Sequence, residues 1–232
     1  MKNKYLFNAY FIILHIIIIL ILAKSNFIPN VMNKIGVQKN EFSHYYHQML
    51  AFHDRVDKNL TENTVLFIGD SHIQGLAVSS VISNSVNFGI GGDTTKGVIN
   101  RLPYYTHIFK SKQVILAIGY NDLKVRSLAE IIENFQTILN FFPSRVHIVV
   151  SAVHPIDEEF VKISIDNEQI KALNFRVFQL SQEYENVTFI SIAEDITTKG
   201  ALSKKYHIGD GVHLNKAGYD VWITKLKIHL NE

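Results

Sequence analysis

Four short polar clusters hold the residue types from which hydrolytic sites are built: Gly69-Asp70-Ser71-His72, Gly89-Ile90-Gly91-Gly92-Asp93, Gly119-Tyr120-Asn121-Asp122 and Asp210-Gly211-Val212-His213-Leu214-Asn215. Two chemistries are open to such a set. A serine is a poor nucleophile at neutral pH, but it becomes a good one when an imidazole takes its proton and a carboxylate steadies the imidazole, and Asp-x-x-His supplies both groups. Alternatively, Asp70-x-His72, Gly92-Asp93 and Asn121-Asp122 imitate the Asp, His and Asn ligands of two-metal phosphoesterases, although such a site needs further His ligands and the late motif has no paired His-x-His. Each cluster alone also has a bland meaning. A Gly-Asp-Ser turn is often only a tight turn, and Asn-Asp or Asp-x-x-His is a common helix cap. Their significance depends on whether the fold gathers them.

The intervening sequence predicts elements that would do so. Val65–Ile68, Val114–Ile118, Val146–Val150 and Val187–Ile190 are β-branched runs of the kind found in buried strands, with a weaker one at Ser85–Phe88. Between them, Leu128, Ile131, Ile132, Phe135, Ile138, Leu139 and Phe142 repeat at helical spacing. So do Ile170, Leu173, Val177, Leu180 and Tyr184, and near the end Tyr219, Trp222, Ile223 and Leu226. Alternating strands and helices over about 170 residues imply an α/β fold, with a parallel sheet covered on both faces and ligands at the carboxyl ends of its strands. The first three polar clusters follow strands directly, and the fourth precedes the last helix.

In order and spacing, the four clusters resemble the signature blocks of the SGNH (GDSL) hydrolase superfamily over residues 61–230. Asn87-Phe88-Gly89-Ile90-Gly91-Gly92-Asp93-Thr94-Thr95 is similar to the branch that contains the catalytic subunits of platelet-activating-factor acetylhydrolase and bacterial esterases. The resemblance implies a flavodoxin-like three-layer αβα sandwich that cleaves or transfers acyl esters without a metal ion or organic cofactor. By matched position it implies Ser71 as nucleophile, His213 as base and Asp210 as its partner. It further implies an oxyanion hole from the backbone N–H of Ser71, the backbone N–H of Gly92 and the side-chain amide of Asn121, with Gly91 as the alternative register. His72 and Tyr120 depart from the commonest pattern, which has Leu and Thr there. His72 and His154 are expected beside the substrate, while Asp70 and Asp122 are expected to bond loop N–H groups.

The flanking sequence sets other expectations. Residues 5–23 are apolar except for Asn8 and His15, and as a helix they would span roughly 29 Å, one hydrocarbon core. A membrane anchor is therefore expected over 1–24, a connector over 25–60 and the catalytic domain over 61–232. In the connector, His44 and His47 could share a helical face, but without a carboxylate they make a weak metal site. The anchor places the domain outside the cytoplasm, since a short tail carrying Lys2 and Lys4 precedes it.

The 232 residues carry 23 Lys and Arg against 21 Asp and Glu, and the anchor region accounts for three of the cations, leaving 20 against 21. A nearly neutral domain without basic runs argues against nucleic acid as a partner. The absence of Cys excludes disulfides, thiolate metal sites and a cysteine nucleophile. Within the resemblance, the expected substrate is a short acyl ester, such as an O-acetyl group on a glycan. Lysophospholipid hydrolysis and O-acyl transfer are the neighbouring alternatives, and a non-catalytic glycan- or lipid-binding module is disfavoured by the intact polar set.

Overall fold

The computed structural model describes residues 10–11, 13–15, 42–161 and 165–230. Residues 1–43 and His44–Glu232 form two separate units. In the first, Tyr10, Phe11, Ile13, Leu14 and His15 are helical, and the rest of the expected membrane helix at 5–23 lies outside the described residues. Among the described residues no helix is long and apolar enough to cross a membrane.

The second unit begins with helix α1, His44–Asp57, which falls within the stretch expected to be a connector. There follow β1 Val65–Gly69, α2 Ser71–Gln74, β2 Ser85–Gly89, α3 Thr95–Arg101, β3 Gln113–Ala117, α4 Leu128–Phe141, β4 His147–Ser151, α5 Asn167–Ser181 and β5 Val187–Ile190. The chain ends with α6 Ala193–Ile196, a small hairpin of β6 Thr197–Thr198 and β7 Ala201–Leu202, and α7 Lys216–His229. The five main strands are all parallel, in the order β2-β1-β3-β4-β5. That order reverses direction between β1 and β3, and such switch points open a crevice at the strands' carboxyl ends.

Side chains alternate across a strand, so each strand feeds two cores. Leu66, Ile68, Val114, Leu116, Ile148 and Val150 face one side and pack with Val98 of α3, Ile131 and Phe135 of α4, and Leu173 and Val177 of α5. Val65, Phe67, Ile115, Ala117 and Val149 face the other and pack with Ile73 of α2 and with Trp222 and Leu226 of α7. The result is helix, sheet, helix. Because both faces are covered, the strands read in sequence as continuous apolar runs rather than alternating ones. Truncating a fully buried ring such as Phe135 to Ala would cost about 3–5 kcal/mol.

The long helices start where their first residues cap them. Ser127 accepts the Glu130 N–H while the Glu130 carboxylate accepts the Ser127 N–H, and Asp166 and Gln169 do the same for α5. Asn215 caps α7 through the Gly218 N–H at 3.1 Å, which fixes the loop carrying Asp210 and His213 against the start of that helix.

Candidate active site

Ser71 is the first residue of α2, directly after β1. The turn is held by Asp70, which caps α2 by accepting the His72 N–H at 3.0 Å. Asp70 is buried beneath the turn, and burial pushes its carboxyl up to about 7. The Ser71 hydroxyl faces His213 Nε2 at 2.9 Å, across 142 residues of sequence. On the other edge of the imidazole, Nδ1 is 2.6 Å from Asp210 Oδ2. Burial raises the Asp210 pKa, but the bond from His213 and the N–H groups of Val212 and His213 outweigh it, and the net shift is downward. An ionised carboxylate only accepts, so Nδ1 carries the proton and Nε2 is left to accept from the Ser71 hydroxyl.

The loop that presents Asp210 is built by residues that the sequence reading missed. His207 Nδ1 accepts the N–H groups of Gly209 and Gly211 at 3.0 and 3.1 Å, while Asp157 N–H donates to the Gly211 carbonyl at 2.8 Å. Gly211 has φ +77°, and a Cβ there would lie 2.8 Å from both the Asp157 carbonyl oxygen and Phe160 Cβ. Only glycine fits that conformation and that approach. The Asp-Gly pair was visible in sequence, but nothing local marked His207 as its acceptor.

Gly92 lies in a turn closed by Asp93 N–H donating to the Ile90 carbonyl at 3.0 Å. Its φ of +77° is the value that a type II turn needs at its third position. No atom outside its chain neighbours lies within 4 Å of where its Cβ would be, so it borders open space. Gly91, the alternative register, has its N–H engaged by Gln74 Oε1 at 2.9 Å. Asn121 Nδ2 donates to the Asp93 carbonyl at 3.0 Å, and its Oδ1 accepts from Lys124 Nζ at 3.0 Å. Together these bonds fix which way the amide faces and leave its second N–H for another acceptor.

The remaining expected residues divide into two groups. His72 and His154 lie side by side, with ring centroids 5.1 Å apart; His72 stacks on His213 at 5.5 Å, and His154 meets Trp222 edge-on at 4.7 Å. Burial keeps both neutral, pushing His154 down to about 4 and His72 well below its ordinary value, the latter aided by the neighbouring histidines. With Asp70, Ile118, Tyr120 and Val153 they line a recess of about 10 Å³. His72 Nδ1 and the Tyr120 hydroxyl are buried there without a hydrogen-bond partner. Asp122 instead accepts the Thr95 N–H at 2.8 Å and the Thr95 hydroxyl at 2.6 Å, with Arg126 at 3.3 Å.

Asp93 is bonded to Arg101 at 2.9 Å, and both side chains are buried. The carboxylates that imitated metal ligands in sequence are thus engaged by the scaffold. Among the described residues no group of three or more His, Cys, Asp or Glu is placed to hold a metal ion. His44 and His47 lie exposed on α1.

A parallel sheet in flavodoxin-like order thus carries Ser71, His213 and Asp210 in one hydrogen-bonded row. Residues 67–221 match the model of the GDSL-like lipase/acylhydrolase family, and the chain belongs to that family of carboxylic ester hydrolases. Comparison with curated proteins gives no match.

Among solved structures, a Streptococcus pneumonia protein provisionally described as a platelet activating factor is 24% identical, covering 85% of this chain and 98% of its own, with a TM-score of 0.76. A lipase/acylhydrolase from Enterococcus faecalis is 21% identical over 72% of this chain and 96% of its own, with a TM-score of 0.62. A carbohydrate esterase family 3 protein from Talaromyces cellulolyticus is 17% identical over 71% of this chain and 94% of its own, with a TM-score of 0.57. At these identities the likeness is one of fold.

Proposed function

We propose that the chain is a serine esterase that cleaves short acyl esters, with Ser71 as nucleophile, His213 as general base and Asp210 as its orienting carboxylate. The observation that carries this reading is the unbroken row from Ser71 Oγ through His213 to Asp210, at 2.9 and 2.6 Å. Ser71 passes its proton to His213 Nε2 as its oxygen bonds to the ester carbon. The negative charge that develops on the carbonyl oxygen is met by the N–H groups of Ser71 and Gly92 and by Asn121 Nδ2. His213, positively charged and steadied by Asp210, returns the proton to the departing alcohol. Water then attacks the acyl-serine with the same base, releasing the acid and restoring Ser71.

His72 stacks on His213 at 5.5 Å and His154 lies 5.1 Å from His72, which supports a place for both beside the substrate. The fold shared with a carbohydrate esterase family 3 protein supports an ester carried on a glycan. We take the substrate to be an O-acetyl ester, on the outside of a cell where residues 5–23 hold the protein at a membrane. The length and apolarity of that run, with no acidic residue, support the anchor.

The test is hydrolysis of a short-chain aryl acetate and a long-chain ester by the full chain and by Ser71→Ala, with a chelator present. Chelator-resistant activity on the acetate that the variant lacks is expected. A rate that peaks at long chains would replace the acetyl reading with lipid hydrolysis, and activity that survives the substitution would overturn the serine mechanism. Fractionation of the full chain, expected in the membrane pellet and released only by detergent, tests the anchor.

A further inference from the structure

Helix α1 precedes the residues that match the family model, and the mechanism above uses none of its side chains. It is nevertheless fastened at two points, to Gln74 beside the loop that carries Gly92 and to α3 just beyond that loop. At the first, the Tyr45 hydroxyl accepts a hydrogen bond from Gln74 Nε2, while Gln74 Oε1 accepts the Gly91 N–H at 2.9 Å. A Cβ on Gly91 would lie 2.9 Å from Gln74 Oε1, 3.8 Å from the Tyr45 ring and 4.0 Å from Ser71 Cβ, so these residues converge on one spot. At the second, the Tyr46 hydroxyl donates to the Gly97 carbonyl at 2.7 Å and accepts from Asn100 at 3.1 Å, tying α1 to α3 just beyond the loop. The end of α2 that bears Gln74 is itself fixed to β2, because Asn87 Nδ2 donates to the carbonyls of Ile73 and Leu76 at 2.7 and 2.9 Å.

The loop needs such restraint. Gly91 and Gly92 are the two central residues of the turn Ile90–Asp93, and the peptide between them carries the Gly92 N–H. Rotating that one peptide converts a type II turn into type I and sends its N–H to the opposite side. Two adjacent glycines have little intrinsic preference between the alternatives. A donor must point at the oxyanion before the reaction begins if it is to lower the barrier.

Resting on the esterase reading, we propose that Gln74, oriented by Tyr45 of α1, is a positioning residue for the oxyanion pocket. By holding the Gly91 N–H it keeps the next peptide turned so that the Gly92 N–H faces the substrate carbonyl. Gln74 touches neither substrate nor the reacting atoms. Its removal therefore weakens transition-state stabilisation while leaving ground-state binding in place.

The experiment uses the full chain with an aryl acetate, comparing wild type, Gln74→Leu, Gln74→Glu, Tyr45→Phe and Ser71→Ala. Losing an oxyanion donor outright costs about 10²–10³ in kcat, so a donor left to wander should cost roughly tenfold. Gln74→Leu is expected to lower kcat by about that factor with KM within about twofold. Gln74→Glu keeps an acceptor for the Gly91 N–H and is expected to restore kcat to within about threefold of wild type, a rescue that a merely space-filling role would not produce. Wild-type kcat in Gln74→Leu, or equal impairment in Gln74→Glu, would overturn the proposal. If Gln74→Leu does not fold, Tyr45→Phe decides: kcat about two- to threefold lower at unchanged KM supports the role, and unchanged kcat overturns it. Ser71→Ala separates the two layers. Full activity in that variant refutes the esterase reading itself, whereas an inactive Ser71→Ala beside an unimpaired Gln74→Leu refutes only the positioning role.

Discussion

Two carboxylate-containing pairs of similar length, Arg101–Asp93 and His213–Asp210, differ sharply in burial. Arg101 and Asp93 meet at 2.9 Å with side chains 0% and 1% exposed. Arg101 also donates to the carbonyls of Phe88 and Gly69 and to the Tyr105 hydroxyl, at 2.7, 3.1 and 2.7 Å. These bonds engage four of its five N–H donors, and the group ties β1, β2 and α3 together. His213 and Asp210 meet at 2.6 Å with side chains 41% and 39% exposed. A pair sealed from water is a fastening, because moving either member leaves an unpaired buried charge. A pair open to water can gain and release a proton during each turnover. Under the proposed mechanism burial, rather than distance, separates scaffold from chemistry.

Substitutions in the two pairs should therefore fail differently. Asp210→Asn is expected to fold normally and lose about 10⁴ in kcat, because the amide no longer selects the required imidazole tautomer. Steady-state kinetics beside a thermal melt would check this, and a large fall in Tm would break the contrast. Asp93→Ala should do the reverse and destabilise the fold by about 3–5 kcal/mol, since Arg101 is left buried and uncompensated. Urea denaturation measures that loss, and wild-type stability would show that the pair is dispensable. Asn121→Ala should cost about 10²–10³ in kcat by removing one oxyanion donor. Because Asn121 also bonds the Asp93 carbonyl, a small fall in Tm is expected alongside.

The smallest effect is on pH stability. Burial holds His53 down to about 3 and His154 to about 4, and lowers His72 as well. In the unfolded chain each binds a proton near pH 6.5, so acidification from there toward pH 4 favours unfolding. Asp70 opposes this. Its folded value of about 7 exceeds the unfolded carboxylate value, so its contribution favours folding in acid and is lost as pH rises from about 4 through 7. Burial also raises Asp93 and Asp122 and lowers His147, so the clean reading is that of one group. Asp70→Asn loses the contribution that favours folding in acid, and its Tm is expected to drop relative to wild type on going from about pH 6.5 to about pH 4. An acid response of Tm that Asp70→Asn leaves unchanged would contradict the assignment.

Much of this was legible in the sequence, for reasons that can be traced. The five strands begin and end within a residue of the apolar runs, because a parallel sheet covered on both faces requires uninterrupted hydrophobic strands. Three polar clusters stood at strand ends, where a switch point gathers ligands, and the fourth stood before the last helix; of their residues the fold brings Ser71, His213 and Asp210 into one hydrogen-bonded row. What escaped was held by contacts between distant segments. His207 supports the Asp210 loop through a ring nitrogen, Gln74 through its amide engages Gly91, and Arg101 bonds the carbonyls of Gly69 and Phe88 at the carboxyl ends of β1 and β2. Each is an ordinary polar residue with no local pattern around it. Of helix α1 only the helical face shared by His44 and His47 was legible; its anchoring was not, because the hydroxyls of Tyr45 and Tyr46, the buried His53 on Tyr105 and the buried Asp57 on Thr106 meet residues 29 to 52 positions away.

The most direct test of the central claim is covalent labelling of the full chain with an alkyl phosphonofluoridate, read by peptide mass spectrometry. The reagent phosphonylates a serine only where a base activates it and donors hold the resulting oxyanion. A single adduct on Ser71, lost in His213→Ala with the fold intact, is the expected result. Labelling at another residue, or undiminished labelling of Ser71 in the His213 variant, would contradict it.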